Sequence, residues 1–315
     1  MSNEEHFLAA LRQLASDPAA RGLADDAAVL DVGGEKLVLT HDMLVEGVHF
    51  LSSDLPEDVA WKLLAVNLSD LAAKGARPVG VLMGYGLRGD PAWDAAFVGG
   101  LGHALGTFGV PLLGGDTVAL PPGTARVLGL TALGTAHVQV PSRAGAKPGD
   151  DLWVTGTIGD AGAGLRILTG ALAGNAAALI ARYRTPTPRL KAGQELAPLV
   201  TAMMDVSDGL LIDAARLAKA SGAAALIGLE HVPLSTAYVE ALGEGRDARL
   251  AAATAGDDYE LLFTALPEQT PALLAVSNAL GLPFTRIGRI EAGSGLRLQE
   301  HGAPLPLPAR LGWEH

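Results

Sequence analysis

Residues 62–73 read Lys-Leu-Leu-Ala-Val-Asn-Leu-Ser-Asp-Leu-Ala-Ala and predict an α-helix that carries polar side chains inside an apolar segment. The helix is expected to begin close to Pro56, which suits a first turn, and to end at Gly75. Its apolar stripe consists of Leu64, Leu68 and Leu71. Asn67 and Asp70 are three residues apart, so they share another face of the same helix. A carboxylate therefore lies at the edge of an apolar helix.

Motifs built on aspartate recur along the chain, each embedded in apolar sequence. Besides the helix, they are Ala24-Asp25-Asp26-Ala27-Ala28, Thr40-His41-Asp42, Gly114-Gly115-Asp116-Thr117, Asp205-Val206-Ser207-Asp208-Gly209 and Gly256-Asp257-Asp258-Tyr259-Glu260. A carboxylate that loses its water is costly unless cations or hydrogen bonds compensate. Oxygen ligands gathered around several hard metal ions would provide that compensation. Such ions in number indicate a highly charged substrate, most often a polyphosphate.

Composition excludes several classes of protein. The chain has 315 residues, 49% of them hydrophobic, which is enough for two domains with a sizeable core. The formal charge of −11 and the lack of a basic stripe argue against nucleic acid as the main partner. The absence of cysteine excludes disulfides, thiolate metal ligands and thiol nucleophiles. We see no signal peptide and no apolar run of about 18 residues, and therefore expect a cytoplasmic protein without a membrane partner.

The first half of the chain predicts one sheet with helices. Residues 29–40 predict a β-hairpin that turns at Gly33-Gly34, which places Asp42 just past a strand end. The further elements, in order, are a strand at 79–87, a helix at 91–107, a short strand at 110–113 that ends at Gly114-Gly115-Asp116, and a strand at 126–136.

The second half predicts another sheet after a junction. Residues 141–151 are rich in Gly, Pro and charge, and they separate the expected domains 1–140 and 141–315. The expected elements are a strand at 151–155, a helix near 160–172, a helix from Pro188, a strand at 202–206, a helix ending near Gly222, strands at 224–229 and 259–265, a helix near 271–280, and strands at 284–290 and 295–299. Because strands and helices do not alternate regularly, we expect an α+β fold of two domains, each a mixed or antiparallel sheet with helices on one face.

Each polar motif also has an ordinary structural interpretation. Asp25-Asp26 suits a polar turn, and Asp70 suits a solvated helix face. The glycines of residues 114–116 suit either a turn or a close approach to a ligand. Ser207 suits a helix N-cap, and the helix N-terminus behind it suits a phosphate. His49, in an apolar context, is either structural or functional.

Other candidate phosphate-binding features are weaker. Arg143 carries the planar guanidinium that suits phosphate oxygens, although a basic residue in a linker also aids solubility. Trp313 either covers a core or stacks on a flat heteroaromatic ring. No P-loop pattern occurs. Residues 84–89 match the dinucleotide-binding pattern, but Asp90-Pro91 breaks the turn into a helix that such a site needs.

Taken together, these segments resemble the thiamine-monophosphate kinase family of the aminoimidazole ribonucleotide synthetase-like superfamily. The resemblance runs in order from about residue 24 to Trp313, and its strongest segments are 44–50, 62–73, 114–117, 145–150 and 256–261. It implies a fold of the class reached above. It also implies a homodimer formed through the N-terminal sheet, with nucleotide bound in a cleft near the dimer interface.

The resemblance implies ATP-dependent phosphorylation of thiamine phosphate to thiamine diphosphate with several Mg²⁺ ions. The implied metal ligands are Asp26, Thr40, Asp42, Asp70, Asp116, Asp205 and Asp208. The implied ATP contacts are Phe108, Gly115, Asp116, Arg143 and Ser207. The implied thiamine phosphate contacts are His49, Asp257 and Trp313.

Two residues depart from the family pattern. Ala24 stands where the family usually has Gly, and His41 stands where it usually has a second hydroxyl residue. The resemblance then implies that one metal is held through the backbone of His41 or is bound differently. The acceptor oxygen of thiamine phosphate is already anionic, so we expect catalysis by positioning and charge neutralisation, without an essential base or a phospho-enzyme.

Two alternatives remain open at this point. One is another ATP-using member of the superfamily, namely an aminoimidazole ribonucleotide synthetase, a selenophosphate synthetase or a hydrogenase-maturation dehydratase. The last two usually use cysteine or selenocysteine, and the lack of cysteine counts against both. The other alternative is a non-catalytic nucleotide- or metal-binding protein, which would need fewer metal-ligating acids than this chain contains.

Overall fold

The first half of the chain forms a five-stranded sheet with two long helices on one face. The computed structural model describes residues 3–136, 139–174 and 176–314. The elements are α1 (Asn3–Arg12), β1 (Ala28–Val32), β2 (Glu35–Val45), α2 (Pro56–Ala73), β3 (Arg77–Leu87), α3 (Pro91–Phe108), β4 (Leu112–Ala119) and β5 (Val127–Ala136). The strand order is β1-β2-β5-β3-β4, in which only β3 and β4 are parallel neighbours. The predicted hairpin is confirmed as β1–β2, and the two predicted helices are confirmed as α2 and α3. The expectation that Asp42 lies just past a strand end is wrong, because pairing with β5 extends β2 to Val45.

The second half forms a seven-stranded sheet in the order β12-β11-β8-β10-β6-β9-β7. Its elements are β6 (Asp151–Thr155), α4 (Asp160–Leu168), α5 (Ala177–Arg184), α6 (Leu190–Leu196), β7 (Ala202–Asp205), α7 (Leu210–Ala220), β8 (Ala224–Gly228), α8 (Thr236–Leu242), α9 (Arg246–Ala253), β9 (Leu261–Ala265), α10 (Thr270–Leu280), β10 (Phe284–Glu291), β11 (Gly295–Glu300) and β12 (Ala303–Leu305). Among the described strands of this sheet, β8 and β11 pair in parallel, and the other neighbouring pairs are antiparallel. The predicted α+β class, with two mixed sheets, is confirmed.

Helix α2 contacts both halves of the protein. Every residue from Lys62 to Ala73 is buried. Ala72 and Ala73, at its end, pack with Trp153 in a core cluster of the second half. A Cβ atom on Gly193 would lie 1.9 Å from the Ala72 carbonyl oxygen, so α6 meets α2 backbone to backbone. The polar side chains of α2 are therefore enclosed, and the interpretation of Asp70 as a solvated helix residue is wrong.

Strand β4 is longer than predicted. The sequence placed a strand at 110–113, whereas the strand spans Leu112–Ala119 and includes the Gly114-Gly115-Asp116 segment. Parallel pairing with β3 extends it, because that pairing provides backbone partners through residue 119. A Cβ atom on Gly115 would lie 1.9 Å from the Met83 carbonyl oxygen. Glycine is thus required there for close strand packing.

Several short elements were not predicted, namely α1, α5, α8, α9 and β12. Each spans only 3 to 10 residues. Segments of this length carry too few apolar repeats for a reliable periodic signal, and packing decides their conformation. No helix in the described parts of the chain combines the length and the apolar character that a membrane crossing needs.

Candidate active site

Three carboxylates from separate segments meet where the two halves of the protein join. Asp26 precedes β1, Asp70 lies on α2, and Asp205 is the last residue of β7. One oxygen of each lies within 4.8 Å of the others. All three side chains are buried. Like charges this close are unfavourable in a protein interior unless protons or cations accompany them. We call this group the carboxylate cluster.

Asp70 is held by a hydroxyl group of the first sheet. Thr40 Oγ1, on β2, donates a hydrogen bond to Asp70 Oδ2. Burial raises the pKa of Asp70, and the charges of Asp42 and Asp205 raise it further. Asp42 is oriented in turn by α2, because its backbone N–H donates a 2.9 Å hydrogen bond to Asn67 Oδ1. Asn67 and Asp70 of the helix motif therefore both face β2.

Asp205 is held from the other side by α2. Ser69 Oγ donates a 2.6 Å hydrogen bond to Asp205 Oδ2. Burial and the nearby Asp26 charge raise the pKa of Asp205 to about 8, although the Ser69 hydrogen bond opposes the shift. At neutral pH the cluster therefore retains a proton unless a cation replaces it.

Asp26 is surrounded by two basic side chains. Arg143 Nε donates a 2.6 Å hydrogen bond to Asp26 Oδ1, and Lys74 Nζ lies 2.6 Å from Asp26 Oδ2. Lys74 thus places a positive charge beside this buried oxygen, and the two atoms form a close ion pair. Burial alone would lower the pKa of Arg143, but the neighbouring carboxylates, with Asp26 the strongest among them, together raise it above its usual value.

The chemistry of these donors fits a hard divalent cation. The cluster offers carboxylate oxygens, which are the protein ligands that Mg²⁺ prefers. The raised pKa values of Asp70 and Asp205 mark oxygens that a further cation would stabilise. The donor set of the cluster therefore suits a divalent metal ion and, through it, a polyphosphate.

The other predicted metal ligands are not equally close to the cluster. Burial raises the pKa of Asp42, and the charges of Asp26 and Asp208 raise it further, so these carboxylates lie close enough to interact electrostatically. His41 follows the alternation of β2, and its ring is on the opposite face of the sheet, where Nδ1 lies 2.8 Å from Thr131 Oγ1. Asp116 is exposed on β4 and is not a member of the cluster.

The N-terminus of α7 is occupied by a side chain of the same helix. Asp213 Oδ2 accepts hydrogen bonds of 3.1, 3.1 and 3.2 Å from the backbone N–H groups of Ser207, Asp208 and Gly209. Gly209 is the N-cap residue, so the prediction that Ser207 caps this helix is wrong. One carboxylate satisfies three N–H groups here, which a single hydroxyl could not do. Burial raises the pKa of Asp213 to about 6 despite its ion pair with Arg216.

The predicted ATP contacts lie in separate places. Arg143 contacts Asp26 of the cluster directly. Ser207 lies two residues after Asp205, the cluster residue that ends β7. Gly115 lies on the exposed strand β4. Phe108 ends α3, where its ring centroid lies 4.9 Å from that of Trp61. Trp61 precedes the cluster residue of α2 by nine positions, a distance of roughly 14 Å along a helix.

Two of the predicted thiamine phosphate contacts meet at one buried lysine. Lys62 Nζ lies 2.8 Å from Asp257 Oδ2 and 3.0 Å from the carbonyl oxygen of His49. Trp313 has an exposed side chain, and its backbone N–H donates a 2.8 Å hydrogen bond to the Asp208 carbonyl oxygen. The C-terminal segment is thereby attached to the loop that carries a predicted metal ligand.

Four side chains that organise the site were not predicted. Lys62 begins the helix motif and Lys74 directly follows it, and both side chains are buried. A basic residue next to a continuous apolar run is a sequence signal of a buried ion pair. Ser69 lies within the motif itself, next to Asp70. Asp213 follows the Ser-Asp-Gly turn by four residues, a spacing at which a helical side chain reaches back to the first turn.

Comparison with known proteins identifies the family. The family model "AIR synthase related protein, N-terminal domain" matches residues 24–136, and the corresponding C-terminal domain model matches residues 147–301. The thiamine-monophosphate kinase of Caulobacter vibrioides is 40% identical, over 99% of this chain and 90% of that protein.

Solved structures agree with the sequence comparison. The thiamine-monophosphate kinase from Stenotrophomonas maltophilia K279a is 40% identical and has a TM-score of 0.78, with 95% of this chain and 96% of that chain covered. The structure of AaThiL complexed with AMPPCP and TMP is 30% identical and has a TM-score of 0.84, with 96% and 98% covered. The chain belongs to the thiamine-monophosphate kinase family of the AIR synthase related proteins.

Proposed function

We propose that the chain transfers the γ-phosphoryl group of ATP to thiamine phosphate, forming thiamine diphosphate and ADP. One observation carries this proposal: Asp26, Asp70 and Asp205 converge from both halves of a chain that is 40% identical to a thiamine-monophosphate kinase. A related structure is complexed with AMPPCP and TMP, which agrees with a site for two phosphate-bearing molecules.

The reaction needs alignment more than proton transfer. A phosphate oxygen of thiamine phosphate bonds to the γ-phosphorus as the bond from that phosphorus to the β,γ-bridging oxygen breaks, and ADP leaves. The attacking oxygen already carries negative charge, so no side chain has to remove a proton from it. The protein must hold two polyanions in line and offset their repulsion.

We assign the metal site to acids from both halves. Its proposed ligands are Asp26, Thr40, the backbone of His41, Asp42, Asp70, Asp116, Asp205 and Asp208. Bound Mg²⁺ ions supply positive charge to the phosphates in the ground state and the transition state. The chain orients the ligands through the hydrogen bonds of Thr40 and Ser69 and keeps the cluster buried.

We assign the nucleotide and substrate contacts as follows. Residues 1–140 provide metal ligands, part of the ATP site and the dimer contacts, and residues 141–315 complete the ATP and substrate sites. The proposed ATP contacts are Phe108, Gly115, Asp116, Arg143 and Ser207. The proposed thiamine phosphate contacts are His49, Asp257 and Trp313. The junction of His49 and Asp257 at Lys62 supports the last assignment.

We also propose a homodimer in the cytoplasm, where ATP is available. The outer face of the first sheet carries exposed apolar side chains, among them Met43 and Leu82, at 48% and 41% exposure. His41, Thr131 and Leu82 are register partners across this face. Exposed apolar side chains gathered on one sheet face favour burial against a partner. A second copy of this chain is the proposed partner.

The decisive assay mixes the purified chain with ATP, Mg²⁺ and one candidate acceptor at a time. The acceptors are thiamine phosphate, aminoimidazole precursors, selenide and free thiamine. We expect ADP and thiamine diphosphate in equal amounts with thiamine phosphate alone. ADP formed with another acceptor would contradict the assigned substrate. ATP binding without ADP formation would instead indicate a non-catalytic binding protein.

A further inference from the structure

Lys74 is a fully buried cation beside the carboxylate cluster. It follows the last residue of α2, and its side chain is 0% exposed. Its Nζ contacts Asp25 Oδ1, lies 2.6 Å from Asp26 Oδ2, and donates a 3.2 Å hydrogen bond to the carbonyl oxygen of Met203 on β7. Burial of an ammonium group is costly without such partners. The lysine is therefore an integral part of the site.

The charges around Asp25 and Asp26 are more than balanced by neighbouring cations. The two carboxylates face three basic side chains, Arg21, Lys74 and Arg143. These ion pairs give the two carboxylates their own counter-charges before any metal ion binds.

Lys74 differs from the two arginines in its freedom to move. The side chains of Arg21 and Arg143 are 20% and 21% exposed, so each can turn toward solvent or toward a bound phosphate. Lys74 is enclosed on all sides and attached to the second half of the protein through Met203. Its position beside Asp26 is therefore fixed by the packing around it.

We propose that Lys74 is a positioning residue that acts through Asp26: it is a built-in counter-cation that stabilises the metal-free cluster and lowers the affinity of the cluster for divalent cations. This inference rests on the proposed metal-dependent function. The fixed Lys74 ammonium repels an incoming Mg²⁺ ion. It also competes with that ion for the negative charge of the Asp26 carboxylate. The metal-free protein gains an ordered site, and metal binding becomes weaker as a result.

The test compares Lys74→Met with Lys62→Met in the full-length protein. Both lysines are buried, both flank the same helix motif, and both pair with aspartate. Lys62 pairs with Asp257, outside the carboxylate cluster. The measurements are Mg²⁺ affinity by titration calorimetry and the melting temperature with and without Mg²⁺.

Both variants are expected to melt at a lower temperature than the wild type when metal is removed. Only Lys74→Met is expected to bind Mg²⁺ more tightly, by roughly tenfold, because a unit charge has been removed from the immediate surroundings of the ion. Its melting temperature should accordingly rise more on addition of Mg²⁺ than that of Lys62→Met. An Mg²⁺ affinity for Lys74→Met that is unchanged or weaker would overturn the proposal and leave Lys74 with a structural role alone.

Lys74→Gln serves if Lys74→Met does not fold, because an amide still donates to the Asp25 side chain but carries no charge. The same tightening of Mg²⁺ binding is expected. Thiamine phosphate turnover by the wild type is measured on the same preparation. An active wild type with no tightening in either variant overturns only the role of Lys74. An inactive wild type with tightening in the variant overturns only the proposed kinase function.

Discussion

Ser69 Oγ donates a 2.6 Å hydrogen bond to Asp205 Oδ2 and so connects helix α2 of the first half to strand β7 of the second. Both side chains are buried. The next residue, Asp70, contributes its own carboxylate to the same cluster. One turn of helix thus provides a carboxylate and orients another that comes from a distant part of the chain. The cluster exists only when the two halves are docked.

Asp70→Asn should abolish phosphoryl transfer and leave the fold intact. Asp70 is a proposed ligand in a site crowded with negative charge, and the amide keeps the shape while removing one charge from the metal site. We expect loss of thiamine diphosphate formation at saturating Mg²⁺, with an unchanged far-UV circular dichroism spectrum. Asp31→Asn, at an exposed carboxylate paired with Lys36, is the matched control and should keep full activity. Near wild-type turnover by Asp70→Asn would contradict the assignment of Asp70 as a metal ligand.

Without metal, the protein should become less stable as the pH rises from about 5 to about 8. Burial raises the pKa of Asp205 to about 8, against about 3.9 in an unfolded chain. Between those values the folded state binds more protons than the unfolded state, so the free energy of unfolding falls as the pH increases. A loss of about 1–2 kcal/mol would lower the melting temperature by roughly 2–8 °C.

Saturating Mg²⁺ should remove most of that pH dependence, because the ion replaces the protons on the cluster. Thermal unfolding in chelator and in Mg²⁺, across the same pH series, checks both statements. Asp205→Asn should show a smaller decline than the wild type in chelator. Metal-free stability that rises over this range would contradict the raised pKa of Asp205.

His41 should be dispensable as a side chain. Its ring is on the outer face of the first sheet, beside Thr131, whereas Thr40 on the same strand faces Asp70. Only the backbone of His41 can therefore serve a metal ion. We expect His41→Thr to keep or raise activity and His41→Ala to have a mild effect on kcat/KM. A loss of about a hundredfold in either variant, or about 2.7 kcal/mol of transition-state stabilisation, would show that the imidazole takes part.

Trp313→Ala should weaken binding of thiamine phosphate and leave ATP binding nearly unchanged. Its side chain is 53% exposed, and stacking of an indole on a cationic ring contributes about 0.5–2 kcal/mol. The KM for thiamine phosphate should rise by roughly threefold to thirtyfold. Free thiamine should not be a substrate, because it lacks the phosphate that accepts the transferred group. A raised KM for ATP would assign the C-terminal segment to the nucleotide site instead.

Leu82→Lys should weaken the proposed homodimer. Leu82 is 41% exposed on the outer face of the first sheet, and a charge there would be buried against the second copy at a cost. Leu274→Lys, at a 44% exposed leucine on α10, is the matched control and should leave assembly unchanged. Sedimentation velocity at micromolar concentration distinguishes the two variants. A monomeric wild type would refute the dimer.

The carboxylate motifs, the α+β class and most long elements could be predicted because local sequence carries their signals. The 62–73 stretch has helical spacing, and the β1–β2 hairpin has a Gly-Gly turn between apolar runs. The family resemblance added residue roles that spacing alone does not provide. The short helices were missed because they contain too few repeats, and the cap of α7 was misassigned because its acceptor, Asp213, lies beyond the turn.

The primary structure alone dictated which residues can bind metal and phosphate, because the aspartates and glycines are local choices in the chain. Docking of the two sheets decided which of them act together. It brought Asp26, Asp70 and Asp205 together, buried residues 62–73 of α2 and enclosed Lys74 against Met203. Contacts between residues more than a hundred positions apart leave no periodic trace in a single sequence, and burial then sets the pKa and the partner of each charged group.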